Sequence, residues 1–246
     1  AMLLHWLVLV ASVTLISAGS SPERIVGGHP VLISEVPWQA ALMYSEKYIC
    51  GAVIYSDKII ITAAHCVERP FDTLYSVRVG SVWKNLGGQH ARVAVIRKHE
   101  DYVSSTILFN DIAVIRLVDT LIFNAEVRPI QLADSAPAAG TEASVSGWGE
   151  IGILWLQPTS LLKTSVKILD PNVCKRSYQY ITKTMICAAA LLKDSCHGDS
   201  GGPLVSGGQL VGIVSYGIGC ANPFFPGVYA NVAELKPWIL NAIEQL

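Results

Sequence analysis

The chain has 246 residues, 51% of them hydrophobic, and a formal net charge of −1. That length suffices for one large or two small compact units, either with a full core. The near-neutral balance provides no basic field for phosphates or anionic lipid, which argues against nucleic acid as a partner.

The first feature in chain order is the longest apolar run, Leu3 to Ala18, interrupted by His5. It is shorter than the roughly 20 residues a spanning helix needs. Small residues follow it (Ser17-Ala18-Gly19-Ser20-Ser21), the pattern of a secretory signal cleaved between Ser17 and Ser20. Residues 1–20 are therefore expected to be a signal peptide, and the protein to be secreted, extracellular and free of the membrane once the signal is removed.

After Gly27 the chain reads as short apolar runs separated by Gly, Pro, Asn and Asp. Strands are predicted at Lys58–Thr62, Val77–Gly80, His90–Ile96, Ile112–Leu117, Ala143–Gly147, Lys163–Leu169, Leu210–Ser215 and Gly227–Asn231. Several alternate apolar and polar residues, as in His90-Ala91-Arg92-Val93-Ala94-Val95, the period of a half-buried strand. Short strands with regular turn signals argue for all-β barrels or sandwiches. The segment Asp134 to Gly140 is the best candidate for a crossing between two halves. At the C-terminus a helix is predicted with Pro237 in its first turn and Trp238, Ile239, Ala242, Ile243 and Leu246 on one face.

Six cysteines lie at positions 50, 66, 174, 187, 196 and 220. None forms a C-x-x-C pair or joins a histidine cluster, so no metal site is expected. An even count behind a signal peptide implies disulfides, each contributing about 3 kcal/mol, although spacing alone leaves the pairing open. There is no Asn-x-Ser/Thr sequon.

The most informative stretch is Gly198-Asp199-Ser200-Gly201-Gly202-Pro203. Glycines around a serine permit a tight turn where backbone N–H groups converge and a substrate can approach. The same letters satisfy the nucleophile elbow of α/β-hydrolases, where an acid and a histidine follow the serine. Residues 201–246 contain neither His nor Asp, so a base for Ser200 must lie upstream. Of the upstream histidines, His5 falls in the signal, and His29 and His90 sit in polar or alternating contexts. His65 instead follows an apolar strand in Thr62-Ala63-Ala64-His65-Cys66, and Asn110-Asp111 opens another in Asn110-Asp111-Ile112-Ala113.

Thr-Ala-Ala-His-Cys, Asn-Asp-Ile-Ala and Gly-Asp-Ser-Gly-Gly-Pro, in that order, resemble the trypsin/chymotrypsin family of serine proteases, from Ile25 to Leu246. The resemblance implies two six-stranded antiparallel β-barrels, the first over about 25–134 and the second over about 135–246, with the active site between them. It implies His65, Asp111 and Ser200 as the triad: Ser200 attacks the scissile carbonyl, His65 carries its proton to the leaving amine, and Asp111 holds the imidazole. The N–H groups of Gly198 and Ser200 would form the oxyanion hole, worth roughly 3 kcal/mol per donor. The implied disulfides are Cys50–Cys66, Cys174–Cys187 and Cys196–Cys220.

Arg24-Ile25-Val26-Gly27-Gly28 is similar to the family's activation site. Cleavage after Arg24 would remove a propeptide at residues 21–24 and free the Ile25 ammonium to pair with Asp199. Asp194 stands where trypsins carry the carboxylate of the primary pocket, with Gly217 and Gly227 at its walls, which implies cleavage after Arg or Lys. The expected product is a cofactor-free, monomeric zymogen-derived endopeptidase. Its expected partners are protein or peptide substrates with Arg or Lys before the cut bond, and protein protease inhibitors. The rival reading is a catalytically silent homologue acting as a binding protein, which usually lacks a triad residue. Four departures from the family stand out. Tyr216 replaces a Trp beside the substrate-pairing strand, and His197 sits at the pocket rim. Residues 81–88 lack the acidic ligands of a calcium loop. Trp155, Phe224 and Phe225 fall in loops that border the cleft in this family.

Overall fold

The computed structural model describes residues 28–105, 107–149, 158–190, 198–219, 222 and 224–246. Strands β1 (His29–Pro30), β2 (Gln39–Tyr44), β3 (Lys47–Ile54), β4 (Ile59–Thr62), β5 (Tyr75–Val79), β6 (Gln89–Lys98) and β7 (Ala113–Leu117) precede β8 (Gln131–Leu132) and β9 (Glu142–Gly147). There follow β10 (Leu162–Ile168), helix α1 (Pro171–Ser177), β11 (Met185–Ala189), β12 (Pro203–Ser206), β13 (Gln209–Tyr216), β14 (Gly227–Asn231) and helix α2 (Val232–Glu244).

Two closed, antiparallel, six-stranded barrels result. The first runs β2-β3-β4-β7-β6-β5. The second runs β9-β10-β11-β14-β13-β12 and is closed by pairing of β9 with β10. Short β1 adds to β10 on its outside, and β8 lies parallel to β13. The all-β class and the paired barrels are as the resemblance implied, and the C-terminal helix is present as the residue spacing predicted. The chain passes from the first barrel to the second sheet between Leu117 and Gln131, so Asp134–Gly140 connects two strands of the second sheet.

All eight strands expected from the sequence are present, shifted by a few residues at their ends. The clearest period belongs to a strand with one wet face: β10 alternates strictly, with Leu162, Thr164, Val166 and Ile168 buried and Ser165 and Lys167 exposed. Of the unanticipated strands, β2 lacks that alternation because both its faces are covered. In β2, Ala40 and Leu42 point into the core of the first barrel. Ala41 and Met43 point the other way, into a cluster with Val31, Val36, Trp148 and Leu161 that joins the two barrels. A strand buried on both sides reads as a plain apolar run, which periodicity cannot assign. Beside it, Ser146 Oγ donates to the buried Gln39 Oε1 at 2.7 Å, a polar tie between barrels.

Helix α1 was also unanticipated, although its start is written in Asp170-Pro171: Asp170 Oδ1 accepts from Asn172 N–H at 2.7 Å and Pro171 fills the first turn. Helix α2 begins five residues before Pro237, so that proline lies inside the helix and not in its first turn. Val232, Leu235, Ile239 and Ala242 are buried on the face toward the barrels, with Trp238, Ile243 and Leu246 packed beside them. That burial outweighs the loss of one backbone donor at proline.

Disulfides join Cys50 to Cys66 and Cys174 to Cys187. The third expected pair, Cys196–Cys220, lies outside the described residues, as do the expected signal segment and propeptide. Among the described residues no helix is long and apolar enough to cross a membrane.

Candidate active site

Asp111 is 2% exposed, yet both of its oxygens are occupied. Asn110 before it adopts φ 48°, a left-handed conformation that Asn tolerates, and its Nδ2 donates to Asp101 O at 3.1 Å. The chain thereby turns inward ahead of β7. His65 sits in a 3-10 turn (Ala64–Val67) directly after β4 and is held by the Cys50–Cys66 bridge. Its backbone N–H donates to Asp111 Oδ1 at 2.9 Å and its ring Nδ1 lies 2.7 Å from Asp111 Oδ2. With Nδ1 bearing the proton toward the carboxylate, Nε2 is the unprotonated ring nitrogen. A third donor was not foreseen: Ser215 Oγ donates to the same Oδ2 at 2.6 Å. Ser215 is the extra residue of a bulge where Val214 pairs Tyr229 and Tyr216 pairs Val228. Such a bulge re-aims a side chain, and here it brings the second barrel to the carboxylate of the first.

Ser200 lies in a loop stitched to the first barrel by its backbone. Gly51 N–H donates to Ser200 O at 2.8 Å, while on the side of the second barrel Gly201 N–H donates to Val214 O at 2.8 Å. Gly201 has φ 77°, and a Cβ there would overlap Thr62 Oγ1 and the Gly51 carbonyl. The serine loop therefore rests against the corner Thr62-Ala63 that leads into His65. Asp199, fully buried, accepts Gly149 N–H on Oδ1 at 2.7 Å. A Cβ on Gly147 or Gly149 would overlap its carboxylate, so both glycines make room for it.

Of the residues expected around the primary pocket, Gly217 and Gly227 face each other, with a Cβ built on Gly217 lying 3.9 Å from Gly227 Cα. Tyr216 ends β13, its ring edge-on to Tyr178 at 5.6 Å and its hydroxyl 3.7 Å from Met185 Sδ. Burial, and secondarily Tyr178, pushes its phenol well above the ordinary value. The two phenylalanines differ. Phe225 packs on Tyr178 at 5.7 Å as part of an internal cluster, whereas Phe224 is 76% exposed. Asp194, His197, Arg24, Ile25 and Trp155 lie outside the described residues.

The residues missed by sequence reasoning are Ser215, Gly147, Gly149 and Tyr48. Tyr48 Oη donates to Gly198 O at 2.5 Å across 150 residues of sequence. Ser215 carried a weak signal, as a small polar residue ending an apolar strand beside Tyr216. Tyr48 carried none, since a strand tyrosine is ordinary. Cys50, His65 and Cys66 bring potential ligand atoms together, but both sulfurs are bonded to each other and offer no thiolate to a metal.

Paired barrels, a buried Asp–His couple on one and a glycine-framed serine on the other are the build of a serine endopeptidase. The sequence pattern of the trypsin family matches residues 25–239, and the chain belongs to that family. It is 45% identical to trypsin beta of Drosophila erecta, over 97% of this chain and 99% of that relative. It is 44% identical to trypsin alpha of Drosophila melanogaster, over 99% and 100%. Among solved structures it resembles neuropsin, a serine protease expressed in the limbic system of mouse brain, with a TM-score of 0.82 and 37% identity, over 88% of this chain and 98% of that one.

Proposed function

We propose that this trypsin-family endopeptidase is secreted as a zymogen and cuts proteins after Arg or Lys. In this reading Ser200 is the nucleophile, His65 the general base and then acid, and Asp111 the group that holds the imidazole. The single observation that carries it is Asp111: a buried carboxylate that binds both the backbone and the ring Nδ1 of His65 and is locked by Ser215 from the opposite barrel. In water such a pair would be weakened by solvent; sealed between barrels it fixes one tautomer and stabilises the imidazolium as it forms. The N–H groups of Gly198 and Ser200 serve the oxyanion. Gly198, at φ 96°, adopts a turn open to few residues but glycine.

Activation follows from Asp199. Its carboxylate is wholly buried in the serine loop, where the ammonium of Ile25, freed by cleavage after Arg24, would fix the loop in its working shape. Specificity would follow from Asp194, the residue expected at the floor of a pocket with the side-chain-free Gly217 and Gly227 as its walls. The names of the relatives as trypsins support the same preference. The enzyme would act as a monomer without a cofactor, and protein inhibitors that present a basic loop would bind it.

The test compares amide substrates ending in Arg and Phe. The activated enzyme is expected to turn over the Arg substrate at least about 10³-fold more efficiently, because a buried carboxylate is satisfied only by a cation. Asp194→Ser is expected to erase that ratio while Ser200 still reacts with an organophosphonate. Undiminished Arg turnover in the variant would refute the pocket assignment. Hydrolysis of neither substrate by the parent enzyme would favour the silent homologue.

A further inference from the structure

The hydroxyl of Tyr48 makes a long-range contact that the triad leaves unexplained. Tyr48 lies in β3 beside a bulge at Ile49, where Leu42 pairs Cys50 and Met43 pairs Tyr48. From there its Oη reaches across to the second barrel and donates to Gly198 O at 2.5 Å. The ring is fixed on two sides. Trp148 meets it edge-on at 5.8 Å, and that indole, nearly fully buried, is itself anchored by Nε1 donating to Val82 O at 2.8 Å. Lys84 Nζ stands over the ring, 4.9 Å from its centroid, a cation–π placement.

We propose that Tyr48 is a positioning residue of the oxyanion hole, gripping the carbonyl of Gly198 so that the N–H of the same residue, on the preceding peptide, keeps facing the reacting carbonyl oxygen. This rests on the reading of Gly198 and Ser200 as the oxyanion donors. A glycine at φ 96° has no side chain to hold its conformation, so neighbouring peptide planes can swing unless something grips them. Tyr48 grips the carbonyl of residue 198. One residue on, Gly149 N–H grips the Asp199 carboxylate at 2.7 Å, and Gly149 also limits the space beside Gly198, where a Cβ would lie 3.3 Å from Gly149 Cα. With both points pinned, the peptide from Gly198 to Asp199 is held in place, and it is the anchor from which the Gly198 N–H just before it is directed. Burial, and next the Asp199 carboxylate, pushes the Tyr48 phenol well above its ordinary value, so the hydroxyl remains a donor even in alkaline solution. Tyr48 does not touch substrate. Its contribution is to prepay the orientation of a donor that does.

Tyr48→Phe keeps the ring between Trp148 and Lys84 and removes only the grip. In the activated enzyme, with competent sites counted by titration, kcat on an Arg amide is expected to fall about 10- to 100-fold while KM stays within about twofold. The affinity of an argininal peptide aldehyde, which forms a tetrahedral oxyanion, should fall by the same factor. The affinity of benzamidine, a cation that fills the pocket without forming one, should not change. Lys84→Met removes a cation that acts on Asp199 as well as on the Tyr48 ring; it is expected to reduce kcat about threefold, and to do so no longer in the Tyr48→Phe background. Parental kcat and aldehyde affinity in Tyr48→Phe would overturn the proposal, as would a parallel loss of benzamidine affinity and thermal stability, the mark of a purely structural role. A parent enzyme inert to the Arg amide would remove the underlying reading itself.

Discussion

Changing Asp111 to Asn is expected to lower kcat by about 10⁴-fold, the size of loss known for this substitution in a Ser–His–Asp triad, with little change in KM. The geometry gives the reason. Oδ1 of Asp111 accepts the His65 backbone N–H, while Oδ2 accepts from both His65 Nδ1 and Ser215 Oγ. An asparagine keeps its oxygen on the backbone donor and turns its NH₂ toward the ring and the serine. Two donors cannot share one hydrogen bond, so Nδ1 must become the acceptor and the proton moves to Nε2. The base then points a proton at the Ser200 hydroxyl it should deprotonate. The fold should survive, because the amide is isosteric and Ser215 can rotate to accept. Steady-state kinetics on an Arg amide, with circular dichroism as a control, checks this; a loss below about tenfold would show that Asp111 is not the orienting acid.

The second large effect is expected from Gly201→Ala. At φ 77° an alanine is strained in any surroundings, and here its methyl would overlap Thr62 Oγ1 and the Gly51 carbonyl. The Gly51 carbonyl already accepts Thr62 Oγ1 at 2.9 Å and belongs to a residue whose N–H holds Ser200 O. Backbone cannot retreat as a side-chain tip can, so the serine loop would be pushed off the first barrel. A destabilisation of about 3 kcal/mol and a fall in kcat of about 10³-fold or more are expected, measured by denaturant unfolding and by kinetics. Gly207→Ala is the control. That glycine also has a positive φ, 57°, but a Cβ there meets nothing within 4 Å, so only the smaller backbone strain should register, with catalysis unaffected.

What the sequence revealed follows from where each signal is stored. Strands with one wet face, such as β6 and β10, print their period in the letters. Strands β2 and β3, pressed between a barrel core and the second barrel, do not, because most of their positions are buried on both faces. The motifs around His65, Asp111 and Ser200 were legible because each is local: a corner, a strand edge and a glycine turn. The contacts that bind them were not. Ser215 reaches Asp111 only because a bulge skips one pairing, and Tyr48 reaches Gly198 only because two barrels pack. Gly147 and Gly149 looked like punctuation around Trp148, yet they vacate the volume filled by the Asp199 carboxylate. Pro237 misled for the opposite reason: a local rule put it in a first turn, whereas burial of Val232 and Leu235 extends the helix ahead of it.

The most direct test is covalent. Activated enzyme is incubated with an organophosphonate ester bearing an Arg-like side chain, and the adduct is mapped by mass spectrometry. One equivalent attached to the Ser200 hydroxyl is expected, absent from Ser200→Ala and strongly slowed in Asp111→Asn. Activated, disulfide-intact protein that remains unlabelled, or that carries the phosphonate on another residue, would contradict the account.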